Sequence, residues 1–335
     1  MRRTVFLGTG SYLPEKVVSN DELARLMDTS DEWIQQRTGI KTRRFVDFEK
    51  EPMGTSDLAA RAGRAALEDA RVLASEIDLI IHCTLSPDRP FPGDGVLVQA
   101  KLDIPAGVPA LDIRNQCSGF LYGLSVANAF LQAGTYRRVL LIGAEVHSTG
   151  LDFTDRGRDV SVIFGDGAAA AVLGTTDEVG RGVLSVHLHA DGRYADELTC
   201  PYPTSAEMPR VTTAKIEEGR QYPRMNGRNV FKHASVHMPA VVEEALAANE
   251  LRSTDIKVLI PHQANLRISE MVQARLGLRD DQVFNNIQKY GNTTAASIPL
   301  ALHEAVKAGR IERGDLVCLA AFGAGFTWAS ALMRW

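Results

Sequence analysis

The sequence contains little cysteine, no excess of basic residues and no long apolar run. Its 335 residues include four cysteines, none in a C-x-x-C pair, so neither a zinc site nor a disulfide framework is predicted. The net charge is −4, without a cluster of lysine and arginine, which argues against nucleic acid or a membrane surface as partner. No segment approaches the roughly 18 apolar residues of a spanning helix. A small molecule or another protein is the expected partner.

The N-terminal segment gives no sign of export. Arg2 and Arg3 precede an apolar stretch that stops within a few residues at GTGSYLP, far short of a signal-peptide core. We therefore expect a cytoplasmic protein with reduced thiols.

Short apolar runs alternate with alanine-rich amphipathic stretches. The runs IDLIIHCT, RRVLLIGAEV and GDLVCLAAFG predict buried strands, and the stretches between such runs predict helices. With 45% hydrophobic residues, the chain can bury a large core. This pattern is typical of an α/β fold with covered sheets.

Segments of the first half of the chain resemble segments of the second half. Residues 65–84 match residues 244–263 at an offset of 179, which places Cys83 opposite His262. A second pair of segments aligns through QAG and KAG at an offset of 175, which places Cys117 opposite Asn292. A repeat of this length predicts two fused copies of one α/β unit related by pseudo-two-fold symmetry. We expect the halves to span 1–174 and 175–335, with the polar segment 204–227 as a surface excursion or pocket cover.

Cys117 stands where an apolar run ends and the helical spacing of CSGFLYGLS begins. A thiol at the start of a helix faces unpaired backbone N–H groups and the positive end of the helix dipole, which favour the thiolate. Cys117 is therefore a candidate nucleophile, and the alternative is a small buried hydrophobic residue.

Two further side chains are candidates for the same site. His262 follows the apolar run IKVLIP, at the edge of a strand where α/β sheets bind ligands, although a single histidine is more often structural. Asn292 stands where a helix cap would, and its alignment with the candidate thiol is what argues for a place beside it. The pair His187 and His189 has the spacing of metal ligands, but no carboxylate or cysteine supports it, so no metal site is predicted.

Two other segments contain groups that could take part in catalysis or binding. The turn in AAFGAGFTW (320–328) can direct backbone N–H groups at a developing oxyanion. The segment TSDEWIQQRTGIKTRR combines Trp33, Arg37 and Thr38. An indole can stack on a nucleobase and an arginine can bind phosphate, but an ordinary capped helix explains this segment equally well.

Together these segments resemble the β-ketoacyl-acyl carrier protein synthase III family, which has the thiolase fold. The similarity covers nearly the whole chain, from GTGSYLPEKVVSNDEL through TSDEWIQQRTGI, CSGFLYGL, PHQANLRI and GNTTAASIP to FGAGFTWASALMRW. It implies an α/β fold with two duplicated halves in a five-layered αβαβα arrangement. It also implies a homodimer without cofactor that condenses an acyl-CoA primer with malonyl-acyl carrier protein through an acyl-cysteine.

The resemblance assigns roles to individual residues. The catalytic residues would be Cys117, His262 and Asn292, and the backbone N–H groups of Cys117 and Ala324 would bind the oxyanion. The remaining matching positions would bind the substrates: Trp33, Arg37, Thr38 and Arg156 for coenzyme A, Phe91 for the acyl pocket of the partner subunit, and Lys232, Arg267 and Arg275 for the carrier protein.

The sequence departs from the family pattern at a few positions. These are Ala324 in place of a frequent glycine, the additional Arg158 and Asp159, Arg228, and the segment 114–116 before the nucleophile. These differences leave the primer open, and a branched, long or acidic primer in secondary metabolism or cofactor synthesis is the alternative.

Two other classes of function agree less well with these features than the condensing enzyme does. The order Cys, His, Asn also occurs in papain-like hydrolases, but their local signature is absent and the duplicated halves have no place in that fold. A non-catalytic acyl or coenzyme A binding protein would not need all three reactive side chains.

Overall fold

The computed structural model describes residues 2–335, which form thirteen strands and eleven α-helices. The strands are β1 Arg3–Tyr12, β2 Lys16–Ser19, β3 Thr42–Phe45, β4 Leu79–Cys83, β5 Ala110–Ile113, β6 Val139–Glu145, β7 Gly167–Thr176, β8 Gly182–Ala190, β9 Leu198–Thr199, β10 Arg224–Met225, β11 Val258–Pro261, β12 Leu316–Gly323 and β13 Thr327–Arg334. The helices are α1 Asn20–Ala24, α2 Asp31–Thr38, α3 Thr55–Ala70, α4 Asp94–Lys101, α5 Gly119–Gln132, α6 Arg158–Ser161, α7 Thr213–Glu217, α8 Gly227–Ala248, α9 Leu266–Leu276, α10 Ile287–Tyr290 and α11 Ser297–Lys307.

Two sheets form the framework. The first has the strand order β1-β7-β6-β4-β5, and the second has the order β11-β12-β13-β8. When the second sheet is followed from β8 to β11, its four strands are arranged like β1, β7, β6 and β4 of the first sheet. In both sheets the pair that corresponds to β4 and β6 is parallel and the remaining corresponding pairs are antiparallel. The duplication predicted from the sequence is thus present in the topology.

The sheets and helices stack in five layers. Helices α5 and α11 lie between the two sheets, α3 covers the outer face of the first sheet, and α8 with α9 covers the second. Leu121 and Leu124 of α5 and Leu302 of α11 are fully buried between Leu141 of the first sheet and Leu319 of the second. The αβαβα arrangement follows, with one core shared by both halves.

The two central helices begin alike. A 3-10 turn precedes each of them, Gln116–Ser118 before α5 and Thr294–Ala296 before α11. The first residue of each turn has a left-handed backbone, with φ of 43° at Gln116 and 48° at Thr294.

The same helices differ in length, which corrects the alignment of the repeats. Helix α5 has 14 residues and α11 has 11, and each is followed by a glycine of positive φ, Gly134 and Gly309. An ungapped alignment through these glycines is therefore wrong by three residues at the start of the helices. By position in the turn, Cys117 corresponds to Ala295, and Asn292 lies three residues earlier in the chain.

The division into halves at residue 174 stays a prediction. Strand β7, the last strand of the first sheet in chain order, extends to Thr176. The segment 204–227 carries α7 and β10, and β10 pairs with β9. Within residues 2–335 no helix has both the length and the hydrophobicity needed to cross a bilayer.

Candidate active site

Cys117 lies in the turn between β5 and α5. The residue before it, Gln116, adopts a φ of 43°, a conformation that costs a non-glycine residue roughly 1–3 kcal/mol. The side chain of Cys117 is 7% exposed. A Cβ atom placed on Gly323 would lie 2.6 Å from the Cys117 Cβ, so only glycine permits this approach. The end of β12 and the start of α5 therefore meet at the thiol.

The thiol is protonated in this environment. Burial raises the pKa of Cys117 to about 12, and the negative charge of Glu145 adds to the rise. Hydrogen bonds from the backbone N–H groups of Cys117 and Ala324 and from the Asn292 side chain act in the opposite direction. The helix start does favour the thiolate, as expected, but desolvation outweighs these dipoles. A base must therefore accept the proton as the sulfur attacks.

His262 directly follows β11 and is held there by its backbone N–H, which donates to the Ala320 carbonyl at 2.7 Å. The side chain is 3% exposed, and burial lowers its pKa to about 3, so the imidazole is neutral. Neither ring nitrogen has a hydrogen-bond partner within residues 2–335. Buried polar atoms are normally paired, so the free nitrogens of His262 are available to a substrate.

Asn292 is fixed by bonds to its own oxygen. Its Oδ1 accepts from the Thr294 N–H at 2.8 Å and lies 3.5 Å from the Ser297 hydroxyl. Its backbone N–H donates to the Ile163 carbonyl at 2.9 Å. The amide oxygen thus supports the turn before α11, while the amide nitrogen remains as a donor towards Cys117. Asn292 is not itself a helix cap, because Thr293 precedes the 3-10 turn and Ala296 precedes α11; its side chain supports the turn and lies beside the thiol.

Two cavities meet at Cys117. The large cavity, of about 490 Å³, extends past Ser86 and Arg114. The narrow cavity, of about 120 Å³, contains His262 and Asn292. Cys117, Phe164 and Leu198 border both cavities, so a group bound to the sulfur can occupy one cavity while the other stays accessible.

Trp33 and Arg37 do not line the narrow cavity, but Arg37 is joined to its lining through Asn265. Asn265, which lines this cavity, donates from Nδ2 to the Arg37 carbonyl at 2.8 Å. The Arg37 guanidinium lies 4.3 Å from the centre of the Trp33 ring, and that of Arg158 lies 5.4 Å from it. An indole and two cations therefore stand together on α2 and α6.

The other two positions expected to bind coenzyme A differ in availability. The Thr38 hydroxyl is buried and donates to the Ile34 carbonyl at 2.7 Å, so it is used within α2. The exposed Arg156 donates from Nε to Asp152 at 2.6 Å, and its guanidinium lies 5.7 Å from the Tyr222 ring.

The basic positions expected to receive the carrier protein lie on α8 and α9. Lys232, Arg267 and Arg275 are all exposed. The Arg267 guanidinium lies 6.0 Å from the ring of Phe231, which lines the narrow cavity. Arg275 lies 4.0 Å from Glu243, which partly offsets its charge.

Phe91 lies outside the site of its own chain. Its side chain is 83% exposed, and it lines neither cavity. Its position is that of a residue available to another molecule.

Glu145 is a residue that the sequence analysis missed. It ends β6, is fully buried, and accepts hydrogen bonds from the hydroxyls of Thr84 at 3.0 Å and Ser86 at 2.6 Å. The Ala295 N–H of the other half lies 3.4 Å from the same carboxyl group. Burial raises the pKa of Glu145 to about 7. The only signal in the sequence was a single carboxylate inside the apolar run RRVLLIGAEV.

Within residues 2–335, no three or more histidine, cysteine, aspartate or glutamate side chains are arranged to hold a metal ion.

Known proteins share both the sequence and the fold of this chain. Residues 111–192 match the family described as 3-oxoacyl-[acyl-carrier-protein (ACP)] synthase III, and residues 246–335 match its C-terminal part. The β-ketoacyl-[acyl-carrier-protein] synthase III of Rhodospirillum centenum is 49% identical, with 99% of each chain covered.

Two crystal structures extend the similarity. The 3-oxoacyl-[acyl-carrier-protein] synthase III of Aquifex aeolicus has a TM-score of 0.89 and 40% identity, covering 99% of this chain and 100% of its own. The enzyme of Thermus thermophilus has a TM-score of 0.89 and 42% identity, covering 98% of each chain. The thiolase fold implied by the sequence is thus confirmed, and the chain belongs to the β-ketoacyl-acyl carrier protein synthase III family of condensing acyltransferases.

Proposed function

We propose that this chain condenses an acyl-CoA primer with malonyl-acyl carrier protein and thereby initiates fatty acid synthesis. The products are β-ketoacyl-acyl carrier protein, coenzyme A and carbon dioxide. The observation that carries the proposal is the meeting of two cavities at Cys117, with His262 and Asn292 in the narrow one. Membership of the family supports the same reaction.

The first half of the reaction transfers the acyl group to the enzyme. His262 is neutral and accepts the proton of the Cys117 thiol in the same step in which the sulfur attacks the thioester carbonyl, so that no separate thiolate–imidazolium pair forms. The N–H groups of Cys117 and Ala324, which already bond to the sulfur site, stabilise the tetrahedral oxyanion. The C–S bond to coenzyme A then breaks, and the proton on His262 passes to the leaving thiolate.

The second half forms the carbon–carbon bond. Malonyl-acyl carrier protein loses carbon dioxide, and the electrons of the broken C–C bond form an enolate whose oxygen carries the charge. His262 and Asn292 each offer one N–H donor to that oxygen. The nucleophilic carbon attacks the acyl carbonyl, the Cys117 sulfur leaves as thiolate, and a proton from solvent restores the thiol.

The surfaces around the narrow cavity support the choice of substrates. Trp33 and Arg37 provide a stacking face and a cation for the nucleotide end of coenzyme A. Lys232, Arg267 and Arg275 are exposed cations for an acidic carrier protein on α8 and α9, two helices that also contribute residues to the lining of the narrow cavity. We assign Arg156 to the binding of coenzyme A as well. Thr38 would contribute indirectly, because its hydroxyl donates to the Ile34 carbonyl and supports α2.

A homodimer is part of the proposal. Strand β5 is an edge of the first sheet, and its Leu111 is 39% exposed. An open edge with exposed apolar residues favours pairing with a second copy across a two-fold axis. Phe91, at 83% exposure, would then contribute to the acyl pocket of the other subunit.

We also propose that the protein is cytoplasmic and needs no cofactor. All four cysteines are free, which fits the reducing cytoplasm. Each step above uses amides and side chains of the chain itself, so the reaction requires no cofactor besides its two thioester substrates.

Intact-protein mass spectrometry tests the first half of the reaction. We expect one acyl group to be added by acetyl-CoA and to be located on Cys117, and we expect Cys117→Ser to prevent stable thioester formation. Cys200→Ser is the matched control, because Cys200 lines the large cavity without touching His262. Acylation at another residue, or none with any acyl-CoA, would contradict the proposal.

A further inference from the structure

The large cavity contains one ionised side chain. Of its lining residues, only Arg114 carries a charge at neutral pH, because the other ionisable side chains there are uncharged. Burial lowers the pKa of His147 to about 3, and burial raises the pKa values of the two cysteines. Arg114 is therefore the one charged side chain that lines this cavity, while the carboxyl group of Glu145 lies behind Ser86 and outside the lining.

Arg114 is an exposed residue that directly follows β5. Within residues 2–335, no carboxylate oxygen lies within 4.0 Å of its guanidinium, and its one hydrogen bond is a long contact of 3.5 Å to the Leu85 carbonyl. Its charge also acts on Cys200: burial raises the pKa of that thiol and Arg114 opposes the rise. The guanidinium thus retains unused donors towards the cavity.

The rest of the lining is mainly apolar but includes polar side chains. Gln116 precedes the nucleophile, and Gln221 enters from the segment 204–227. The Gln221 Oε1 is buried and unpaired within residues 2–335; rotation of its amide exchanges a donor for this acceptor. A purely alkyl chain would leave these polar groups without partners.

From this arrangement we infer that the large cavity selects acyl primers that end in a carboxylate, with Arg114 as the specificity-determining residue. The inference rests on the proposed function, since the acyl group must first be attached to Cys117. A guanidinium binds a carboxylate through two parallel N–H···O bonds. The volume of about 490 Å³ in one chain, before Phe91 of the partner subunit enters it, is within the range of small-ligand pockets.

Isosteric pairs of thioesters provide the test. Succinyl-CoA and 4-methylpentanoyl-CoA have the same branched shape and differ in two oxygens for two methyl groups; glutaryl-CoA and 5-methylhexanoyl-CoA form a second pair. The measured quantity is the ratio of kcat/KM for acylation of Cys117 within a pair, without malonyl-acyl carrier protein. We expect the ratio to favour at least one carboxylate, and to fall about tenfold or more in Arg114→Gln. Arg114→Lys retains part of the preference, because the charge remains but the planar fork is lost.

Arg64→Gln is the matched control, since Arg64 is an exposed arginine on the outer helix α3, and it should leave the ratio unchanged. Equal or reversed ratios in the natural protein overturn the inference while acylation by acetyl-CoA upholds the proposed function. Failure of acylation by every thioester overturns both. The malonyl group also carries a carboxylate: if Arg114→Gln leaves the ratios unchanged but slows decarboxylation by acetylated enzyme, Arg114 serves that carboxylate and the inference is overturned.

Discussion

Replacement of Glu145 by glutamine should make the protein less sensitive to pH. Glu145 is completely buried at the end of β6, and its neighbours are neutral donors, including the hydroxyls of Thr84 and Ser86. Burial raises its pKa from the usual value of 4.5 to about 7. The folded protein therefore holds a proton on Glu145 at pH values where the unfolded chain has released it.

The sign and size of the effect follow from that shift. A raised pKa in the folded state contributes stability that is fully present below the unfolded pKa of 4.5 and is lost as pH rises through about 7. The shift corresponds to about 3 kcal/mol in total. Between about pH 5.5 and about pH 8.5 the natural protein should lose about 2 kcal/mol relative to Glu145→Gln. The amide also places a donor against other donors, at a cost of about 1–3 kcal/mol that does not vary with pH.

Urea unfolding at several pH values and one fixed protein concentration measures this difference. Glu68→Gln, an exposed position on α3, is the control and should give a curve parallel to the natural protein. A parallel curve for Glu145→Gln as well would refute the reasoning, because Glu145 would then titrate alike in the folded and unfolded chains. Since the charge of Glu145 also raises the pKa of Cys117, alkylation of Cys117 by iodoacetamide should be faster in the variant.

Three further changes address the site and the proposed assembly. Asn292→Ala should reduce malonyl decarboxylation by about 10²–10³-fold, the effect of one oxyanion donor, and should spare acyl transfer. His262→Ala should reduce both half-reactions, because Cys117 is protonated before the reaction and needs a base. Separate assays of the two half-reactions measure these effects, and an equal loss of acyl transfer in both variants would contradict these roles. Leu111→Asp, on the open edge of β5, should shift the dimer to monomer in sedimentation experiments, while the same change at the exposed Leu73 should not; an unchanged dimer would exclude pairing through β5. Trp33→Ala should raise KM for acetyl-CoA several-fold through loss of stacking but leave acylation by acetyl-N-acetylcysteamine, which lacks the nucleotide, unaltered; similar losses with both thioesters would mean that Trp33 only supports α2.

The sequence predicted covered sheets and the duplication because both depend on local patterns, whereas the five layers were implied by the resemblance to the family. Alternating apolar runs indicated buried strands, and glycines such as Gly134 and Gly309 end the two central helices in the same way. The length of a helix between such signals is not visible in an ungapped comparison. Asn292 was therefore associated with Cys117 through an alignment that is wrong by three residues, although the chain does bring the two side chains together.

The sequence did not indicate how far each side chain of the site is removed from water. The start of α5 is recognisable from spacing, and it suggested a thiolate at Cys117. Desolvation by residues distant in the chain decides the protonation state, as it does for His262 and Glu145. In the same way, only the packed structure reveals that the hydroxyl of Thr38 is used inside its own helix.

The meeting of the two cavities at Cys117 has a kinetic consequence. Because the acyl group can remain in the large cavity while the narrow cavity empties, the first product leaves before the second substrate arrives, and both substrates use one entrance in turn. Reciprocal plots of initial rate should then give parallel lines, and each substrate at high concentration should inhibit competitively against the other. Because both substrates would use this entrance, free coenzyme A, the first product, should inhibit the second half-reaction.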